Sequence, residues 1–467
     1  MNHEYDVAVV GGGPGGYVAA IRAAQEGLKA VLFEGEALGG TCLNWGCIPT
    51  KALLHSTELL HEMRGAGALG IDLGGVSPKP DLEALEGYKS KAVKRLTGGV
   101  RSLLKGAGVE VVMGRAKLEA PHTLLTEEGK RFTCANVILA MGSEVAVPPI
   151  PGLDQSGYWT SRTILSGKLS VPPRLLIIGG GVIGVEFANI FSDLGSKVTV
   201  VEMLDQLLPR MDSDVAGTLA KEFKKRGIDV RTGVQVTKVV SNGSKAVTIR
   251  EGEEESVLEA EEILVAVGRK PRLDTEGLEA LGIRTNRKGI VVDETQRTSV
   301  PNIYAIGDVT GRWQLAHDAG ADGIAAVDHI LGKKNYSNRG IVPSCVYTRP
   351  EIAAVGMTTP EAQEAGYDVV EGTFPLAANS KSSIVGATAG MVKLVSDEKT
   401  GALLGAHIIG ERATDLVSEV ALAMSAEVTV EEIGAAIHPH PTVSEAVMEA
   451  THDLEGLAIH KPATRRS

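Results

Sequence analysis

Short apolar runs separated by amphipathic stretches set the rhythm of the first third of the chain. Tyr5–Val10 reads as a buried strand, Gly15–Glu26 as a helix and Ala30–Glu34 as a second strand. Such βαβ alternation predicts a parallel sheet. A helical pattern runs from about Pro49 to Met63, and the stretch from Gly65 to Pro80, rich in Gly and Pro, reads as a loop. The apolar run Val137–Ala140 ends in Met141-Gly142, and the Pro-rich Val147–Gly152 that follows marks a domain boundary. At Leu175–Ile178 the rhythm restarts with a strand, glycines, a helix and the strand Lys197–Val201. Ile263–Val267 ends in Gly268-Arg269-Lys270-Pro271, the expected exit from this second unit, and Ile303–Ile306 ends in Gly307-Asp308. From about Pro343 the texture changes. Strands such as Met391–Val395 and Ala406–Ile409 precede a helix near Asp415–Ser425.

Bulk properties narrow the function classes. A chain of 467 residues is too long for one core. Its net charge of −11 and lack of a long basic run argue against nucleic-acid binding, which needs clustered Lys and Arg. No apolar stretch reaches the ~18 residues of a membrane span, and Val7–Val10 is a first strand rather than a signal peptide. The basic tail from His460 to Ser467 reads as a frayed end. Four cysteines in such a chain do not form a disulfide scaffold. A cytoplasmic, reducing setting is expected, and there a cysteine pair is catalytic rather than structural.

The pattern G-x-G-x-x-G occurs three times, and a glycine-rich chain yields about one match by chance. Gly65, Gly67 and Gly70 follow a helix rather than a strand, so they read as a loop. Gly11, Gly13 and Gly16 follow a strand and open a helix, and Glu34 ends the next strand 18 residues after Gly16. Gly179, Gly181 and Gly184 repeat that context, with Glu202 again 18 residues on. Each set permits a tight turn and close approach of a pyrophosphate to a helix N-terminus, and each Glu can accept from ribose hydroxyls. Glu202 would repel a 2′-phosphate, which favours NAD over NADP. Arg210, further on, is the feature that speaks the other way.

Between the second strand and the long helix lies Gly39-Gly-Thr-Cys42-Leu-Asn-Trp-Gly-Cys47-Ile-Pro-Thr-Lys51. Residues five apart on an ideal helix diverge by ~140°, so these cysteines pair only across an irregular turn. Gly46 permits one, and Pro49 disfavours regular helix just before it. The following helix would direct its N-terminal dipole at the thiols and lower a thiolate pKa. A zinc site is the rival reading but lacks a second ligand pair, and two unrelated buried thiols are the bland one.

These motifs resemble the pyridine nucleotide–disulfide oxidoreductases, and among them the lipoamide branch. The resemblance spans nearly the whole chain, and the Cys42–Cys47 hexad is its most specific element. It implies an α/β fold with two Rossmann-like dinucleotide-binding domains and a C-terminal α+β dimerisation domain. The implied segments are an FAD-binding domain (1–147), an NAD-binding domain (148–271), a central segment completing the FAD site (272–342) and an interface domain (343–467). It implies FAD at the first nucleotide site and NAD at the second, with Gly142 and Gly268 among the cofactor-binding positions. Cys42 would exchange with substrate and Cys47 would face the flavin. Lys51 and Glu186 resemble the family's ion pair beside the isoalloxazine. Asp308 would hold a ribitol hydroxyl, and Leu315, Ala316 and His317 would lie over the flavin pyrimidine.

His438-Pro-His440 could suggest a metal, but no third ligand is evident, and no metal is expected. The resemblance instead makes His440 the acid/base, oriented by Glu445 and supplied across a homodimer. The expected reaction is oxidation of dihydrolipoyl groups with reduction of NAD. The expected partner is a lipoyl carrier of a 2-oxo acid dehydrogenase or glycine cleavage complex. Val182 stands where glutathione reductases carry a gating Tyr, and no cysteine pair follows Cys345 as mercuric reductases would require. A disulfide reductase with another, glutathione-type substrate and a non-catalytic flavin-binding subunit stay open as alternatives.

Overall fold

The computed structural model describes residues 3–334 and 340–462. The chain divides into two compact units. The first comprises Met1–Val147, Trp159–Ser170 and Gly268–Ser337; the second comprises Pro148–Tyr158, Val171–Val267 and Asn338–Ser467.

In the first unit the strand Tyr5–Val10 pairs in parallel with Ala30–Glu34 on one side and Arg131–Leu139 on the other. Glu110–Met113 and Ile303–Ala305 extend the sheet in parallel at its two sides. Val7, Val9, Leu32 and Ile138 have no exposed surface. Their strands read as continuous apolar runs because both faces of the sheet are covered, one by the helices that carry Ala19, Leu104 and Ala326 and the other by the segments that carry Leu124, Phe132 and Ile290. Arg131–Leu139 is long enough to serve two sheets. Its first half pairs antiparallel with Thr123–Thr126, which pairs with Ala116–Ala120.

The helix Pro14–Gln25 begins with Pro at its first position, where the missing N–H costs nothing. The helix Ala316–Ile330 packs against it through small residues: a Cβ at Gly323 would stand 2.7 Å from the Gly15 carbonyl oxygen. The third glycine match falls at the end of the helix Cys47–Gly65 and in the 3-10 turn Ala66–Leu69, not in an open loop from its first residue.

In the second unit, Arg174–Ile178, Lys197–Val201, Asp229–Arg231 and Glu262–Val265 form a parallel sheet. The alternation missed an antiparallel meander inserted before its last strand: Val234–Asn242, Ser244–Glu251 and Glu254–Ala260. Residues 344–409 supply a five-stranded antiparallel sheet in the order Ser344–Val346, Ile352–Gly356, Leu403–Ile409, Met391–Asp397, Val369–Pro375. The helices Ala413–Ser425 and Glu445–Leu454 cover it with a continuous apolar core around Leu394, Ile408, Val417 and Val447.

The tail is better anchored than its composition suggests. His460 Nδ1 lies 2.7 Å from the buried Glu449 carboxylate, and Lys461 Nζ donates to Asp453 (2.7 Å). A composition of charged residues near a terminus cannot reveal buried carboxylates waiting for them. Residues 463–467, the rest of that basic run, lie outside the described residues. Among the described residues no helix is long and apolar enough to cross a membrane.

Candidate active site

Two glycine loops of the same build open the two parallel sheets. At the first, Gly11 has φ +109 and Gly16 packs directly on it: a Cβ at Gly16 would lie 1.8 Å from the Gly11 carbonyl oxygen. At the second, Gly179 has φ +110 and a Cβ at Gly184 would lie 1.9 Å from the Gly179 oxygen. Gly13 and Gly181 form the N-caps of the helices Pro14–Gln25 and Val182–Leu194, whose amide ends attract anions.

The two glutamates hold these loops as well as facing them. Glu34 Oε2 accepts from Gly12 N (2.7 Å), and Oε1 accepts from Glu36 N (2.7 Å) and Ala37 N (3.1 Å). Glu202 accepts from Gly180 N (2.7 Å) and Leu204 N (2.8 Å). Hydrogen bonds to a charged group contribute about 1.5–3 kcal/mol each. A carboxylate oxygen has two lone pairs, so capacity for ribose hydroxyls remains. The residues present therefore fit a dinucleotide at each loop: a cradle that any side chain at Gly16 or Gly184 would fill, a helix N-terminus and an acceptor at the strand end.

The cysteine segment is split as its spacing demands. Cys42 ends up in the short helix Gly40–Trp45 and Cys47 begins the helix Cys47–Gly65, with Gly46 (φ −145, ψ −115) as the break. A Cβ at Gly46 would sit 2.8 Å from the Thr41 carbonyl oxygen. Asn44 closes the turn by donating to Leu38 O (3.0 Å) and Gly40 O (2.9 Å). Gly39 N donates to Gly12 O (2.8 Å), which ties the turn to the first nucleotide loop.

Both cysteines are unbridged thiols here. A hydrogen bond with Cys47 and then burial push the Cys42 thiol far up, while the Lys51 charge and the Cys47 amide pull the other way. The expectation of a lowered thiolate pKa therefore does not hold for Cys42. Two adjacent thiols do not both ionise readily, so the pair holds one proton between its sulfurs.

Asp308 lies in the 3-10 turn Gly307–Thr310 and accepts a short hydrogen bond from the Ser143 hydroxyl. Its loop is held by Asp322, which accepts from Gly307 N (3.0 Å). Leu315 caps the helix whose first residues are Ala316 and His317. Gly142 and Gly268 adopt φ +71 and +116 at either end of a short antiparallel pairing of Ser143–Val145 with Arg269–Pro271. Lys51 belongs to the first unit and Glu186 to the second. Glu186 is 3% exposed and accepts from Tyr347 N (3.1 Å).

In the second unit His440 Nδ1 lies 2.9 Å from Glu445 Oε1, and Thr442 N donates to Glu445 Oε2 (2.9 Å). Burial disfavours the Glu445 charge, but the Thr442 amide and His440 outweigh it and hold the carboxyl below its ordinary range. The His440 side chain is 68% exposed, whereas His438 is buried and engaged by Glu419 (2.8 Å) and Ala436 O (2.9 Å).

Sequence reasoning missed Arg269, Ser143 and Thr41. Arg269 Nε donates to Ser143 Oγ (2.8 Å) and its Nη2 to Ser143 O (2.7 Å) and, at longer range, Thr41 Oγ1 (3.4 Å). The available signal was an Arg directly after a glycine at the exit of an apolar strand.

Two glycine cradles, a cysteine turn seated on one of them and a carboxylate-oriented imidazole define a nucleotide-dependent disulfide oxidoreductase. The chain belongs to the pyridine nucleotide-disulphide oxidoreductases: residues 5–323 match that family, and residues 342–451 match its dimerisation domain. Among curated relatives it is 41% identical over 464 residues to dihydrolipoyl dehydrogenase of Thermus scotoductus, covering 98% of each chain. It is 40% identical to dihydrolipoyl dehydrogenase of Bacillus subtilis, covering 98% of this chain and all of the relative. Among solved structures, LpdA from Mycobacterium tuberculosis superposes with a TM-score of 0.87 at 28% identity, over 96% of this chain and 99% of that one. The HOCl-induced flavoprotein disulfide reductase RclA from Escherichia coli does so with a TM-score of 0.84 at 29% identity, over 97% and 99%.

Proposed function

We propose that the chain oxidises dihydrolipoyl groups to the cyclic disulfide and delivers the electron pair to NAD through the Cys42–Cys47 pair and FAD. The observation that carries this reading is the cysteine turn: two thiols in contact across a glycine break, hydrogen-bonded by their own segment to the first nucleotide loop.

His440, steadied by Glu445, removes a proton from one substrate thiol. That thiolate attacks Cys42 Sγ of the oxidised pair, the S–S bond breaks, and Cys47 leaves as the thiolate. The second substrate thiol, losing its proton, attacks the mixed disulfide, and Cys42 departs carrying a proton. Bound FAD supplies the two-electron chemistry that reoxidises the dithiol and passes hydride to NAD. The upward push that burial and the neighbouring sulfur give the Cys42 thiol supports Cys47 as the sulfur that carries charge toward the flavin.

Gly11, Gly13, Gly16 and Glu34 would hold the FAD pyrophosphate and ribose, and Gly142, Asp308, Leu315, Ala316 and His317 its ribitol and ring. Gly179, Gly181, Gly184, Glu202 and Gly268 would hold NAD, with Lys51 and Glu186 as an ion pair beside the isoalloxazine. The four-segment division at 147, 271 and 342 goes with this assignment. The partner is a dihydrolipoyl carrier in the cytoplasm, and His440 is supplied by the second copy of a homodimer. Steady-state turnover tests the reading, with dihydrolipoamide against NAD or NADP and glutathione disulfide against NADH or NADPH. Fast NAD reduction by dihydrolipoamide is expected. Preferred reduction of glutathione disulfide would make the chain a sister reductase, and bound flavin without any turnover would make it a structural subunit.

A further inference from the structure

Arg269 joins three parts of the first unit that are far apart in sequence. Its guanidinium is half-buried and grips both the hydroxyl and the carbonyl of Ser143 (2.8 and 2.7 Å). The Ser143 hydroxyl passes the contact on to Asp308. The remaining reach of Nη2 is to Thr41, the residue before Cys42 and the one whose carbonyl crowds Gly46. A cation partly withdrawn from water is costly unless compensated, and arginine does not give up its proton. Burial pushes Arg269 below its ordinary pKa; the charges of Asp308 and Cys47 oppose that, while Arg272 and Arg162 reinforce it. Arg162 itself is occupied, ion-paired with Glu36 and stacked over Trp45 at 4.3 Å from the ring centroid.

We propose that Arg269 is a positioning residue for the sulfur-to-flavin step: anchored through Ser143 to Asp308, it holds the cysteine turn at Thr41 and keeps the Cys47 sulfur ionised. The proposal rests on Cys47 being the flavin-side thiolate. Groups acting on the pair include Lys51 on the following helix, Tyr17 on the helix after the first loop, and Arg269. Lys51 acts on Cys42 from the following helix, and Arg269 is a cation that the Cys47 charge reaches from another element. An opposite charge within ~4–6 Å lowers the pKa of an acid by about 1–3 units. Removing Arg269 therefore moves the Cys47 midpoint to higher pH.

The test uses the flavin-loaded enzyme, reduced anaerobically with one equivalent of dihydrolipoamide. The long-wavelength thiolate-to-flavin absorbance is followed against pH in the unmodified enzyme, Arg269→Gln and Arg269→Lys. In parallel, the pH dependence of iodoacetamide alkylation at Cys47 is measured in flavin-free protein carrying Cys42→Ser. Arg269→Gln should raise both midpoints by about one unit or more. Arg269→Lys keeps the charge but not the fork that spans Ser143 and Thr41, so it should raise them by about half as much. Cys47→Ser separates the two failures. If the band survives in Cys47→Ser, the assignment of Cys47 falls. If Cys47→Ser loses the band but both Arg269 variants leave the midpoints unmoved, the role of Arg269 falls and the assignment stands. Should Arg269→Gln not accumulate with flavin, an unmoved midpoint in Arg269→Lys overturns the proposal alone.

Discussion

The two glycine loops share their geometry but not their surroundings. At the first, Gly40 crowds Gly13: a Cβ on Gly40 would lie 2.8 Å from the Gly13 Cα. The position of Gly15 is closed by the helix Ala316–Ile330, where a Cβ would meet the Ala319 carbonyl oxygen at 2.9 Å. At the second, Gly181 has open space around it, the residue matching Gly15 is Ile183, and Val182 is 37% exposed. The 203–211 segment approaches Gly180, through Leu207 and the hydrogen bond from Leu208 N to Gly180 O (2.9 Å). One cradle is roofed by the cysteine turn and a helix; the other stays accessible. A roofed site suits a cofactor that remains bound through every turnover, and an open one suits a cofactor that must leave reduced. Loops of the same build thus differ in what is packed on them.

The largest expected effect comes from filling the cradles. Gly16→Ala should yield protein without flavin absorbance and without turnover, since its Cβ would stand 1.8 Å from the Gly11 oxygen. Gly184→Ala creates the same clash at the second loop, yet should retain full flavin that dihydrolipoamide still reduces, while NAD reduction is lost. Flavin absorbance per chain and anaerobic reduction distinguish the two. If Gly184→Ala also loses its flavin, the two sites are not independent.

Next in size is the thiol base. His440→Ala should lose about 10²–10⁴-fold in dihydrolipoamide turnover with flavin content and NADH-to-flavin hydride exchange intact. Glu445→Ala should lose less, because it only orients the imidazole. An inactive Cys42→Ser dimer allowed to exchange subunits with an inactive His440→Ala dimer should regain activity. No recovery despite proven exchange would mean that His440 acts within its own chain, or not at all.

The smallest effect is selective. Glu202→Ala should narrow the preference for NAD over NADP by roughly tenfold, or ~1.4 kcal/mol, and leave flavin untouched. Glu34→Ala should instead weaken flavin retention and leave the nicotinamide preference alone. Equal kcat/KM for NAD and NADP in the unmodified enzyme would remove the role given to Glu202.

Much of the candidate site was legible because its signals are local. A strand, three glycines, a helix and a terminal Glu form one βαβ unit, so their spacing is a short-range property that repeats intact at Gly16/Glu34 and Gly184/Glu202. The break at Gly46 could be inferred from helix geometry, whereas the pairing of His440 with Glu445 was carried by the family resemblance, because a spacing of five residues does not by itself bring two side chains together. The meander Val234–Ala260 was not read, because its strands interrupt a rhythm whose next apolar run, Ile263–Val265, still pairs with Arg174–Ile178.

What the chain alone determined is which groups are present: two glycine loops each followed by a strand-end Glu, two cysteines five apart, and a His and a Glu near the C-terminus. Only the tertiary structure decided how these are tuned. Thr41 meets Arg269 across 228 residues, Ser143 meets Asp308 across 165, and Glu186 is held by the Tyr347 amide across 161. Such contacts leave no periodic trace, because any one of many Arg, Ser or backbone groups could supply them. Which one does so depends on how the sheets and helices pack, and burial then makes each choice count by stripping away the water that would otherwise screen it.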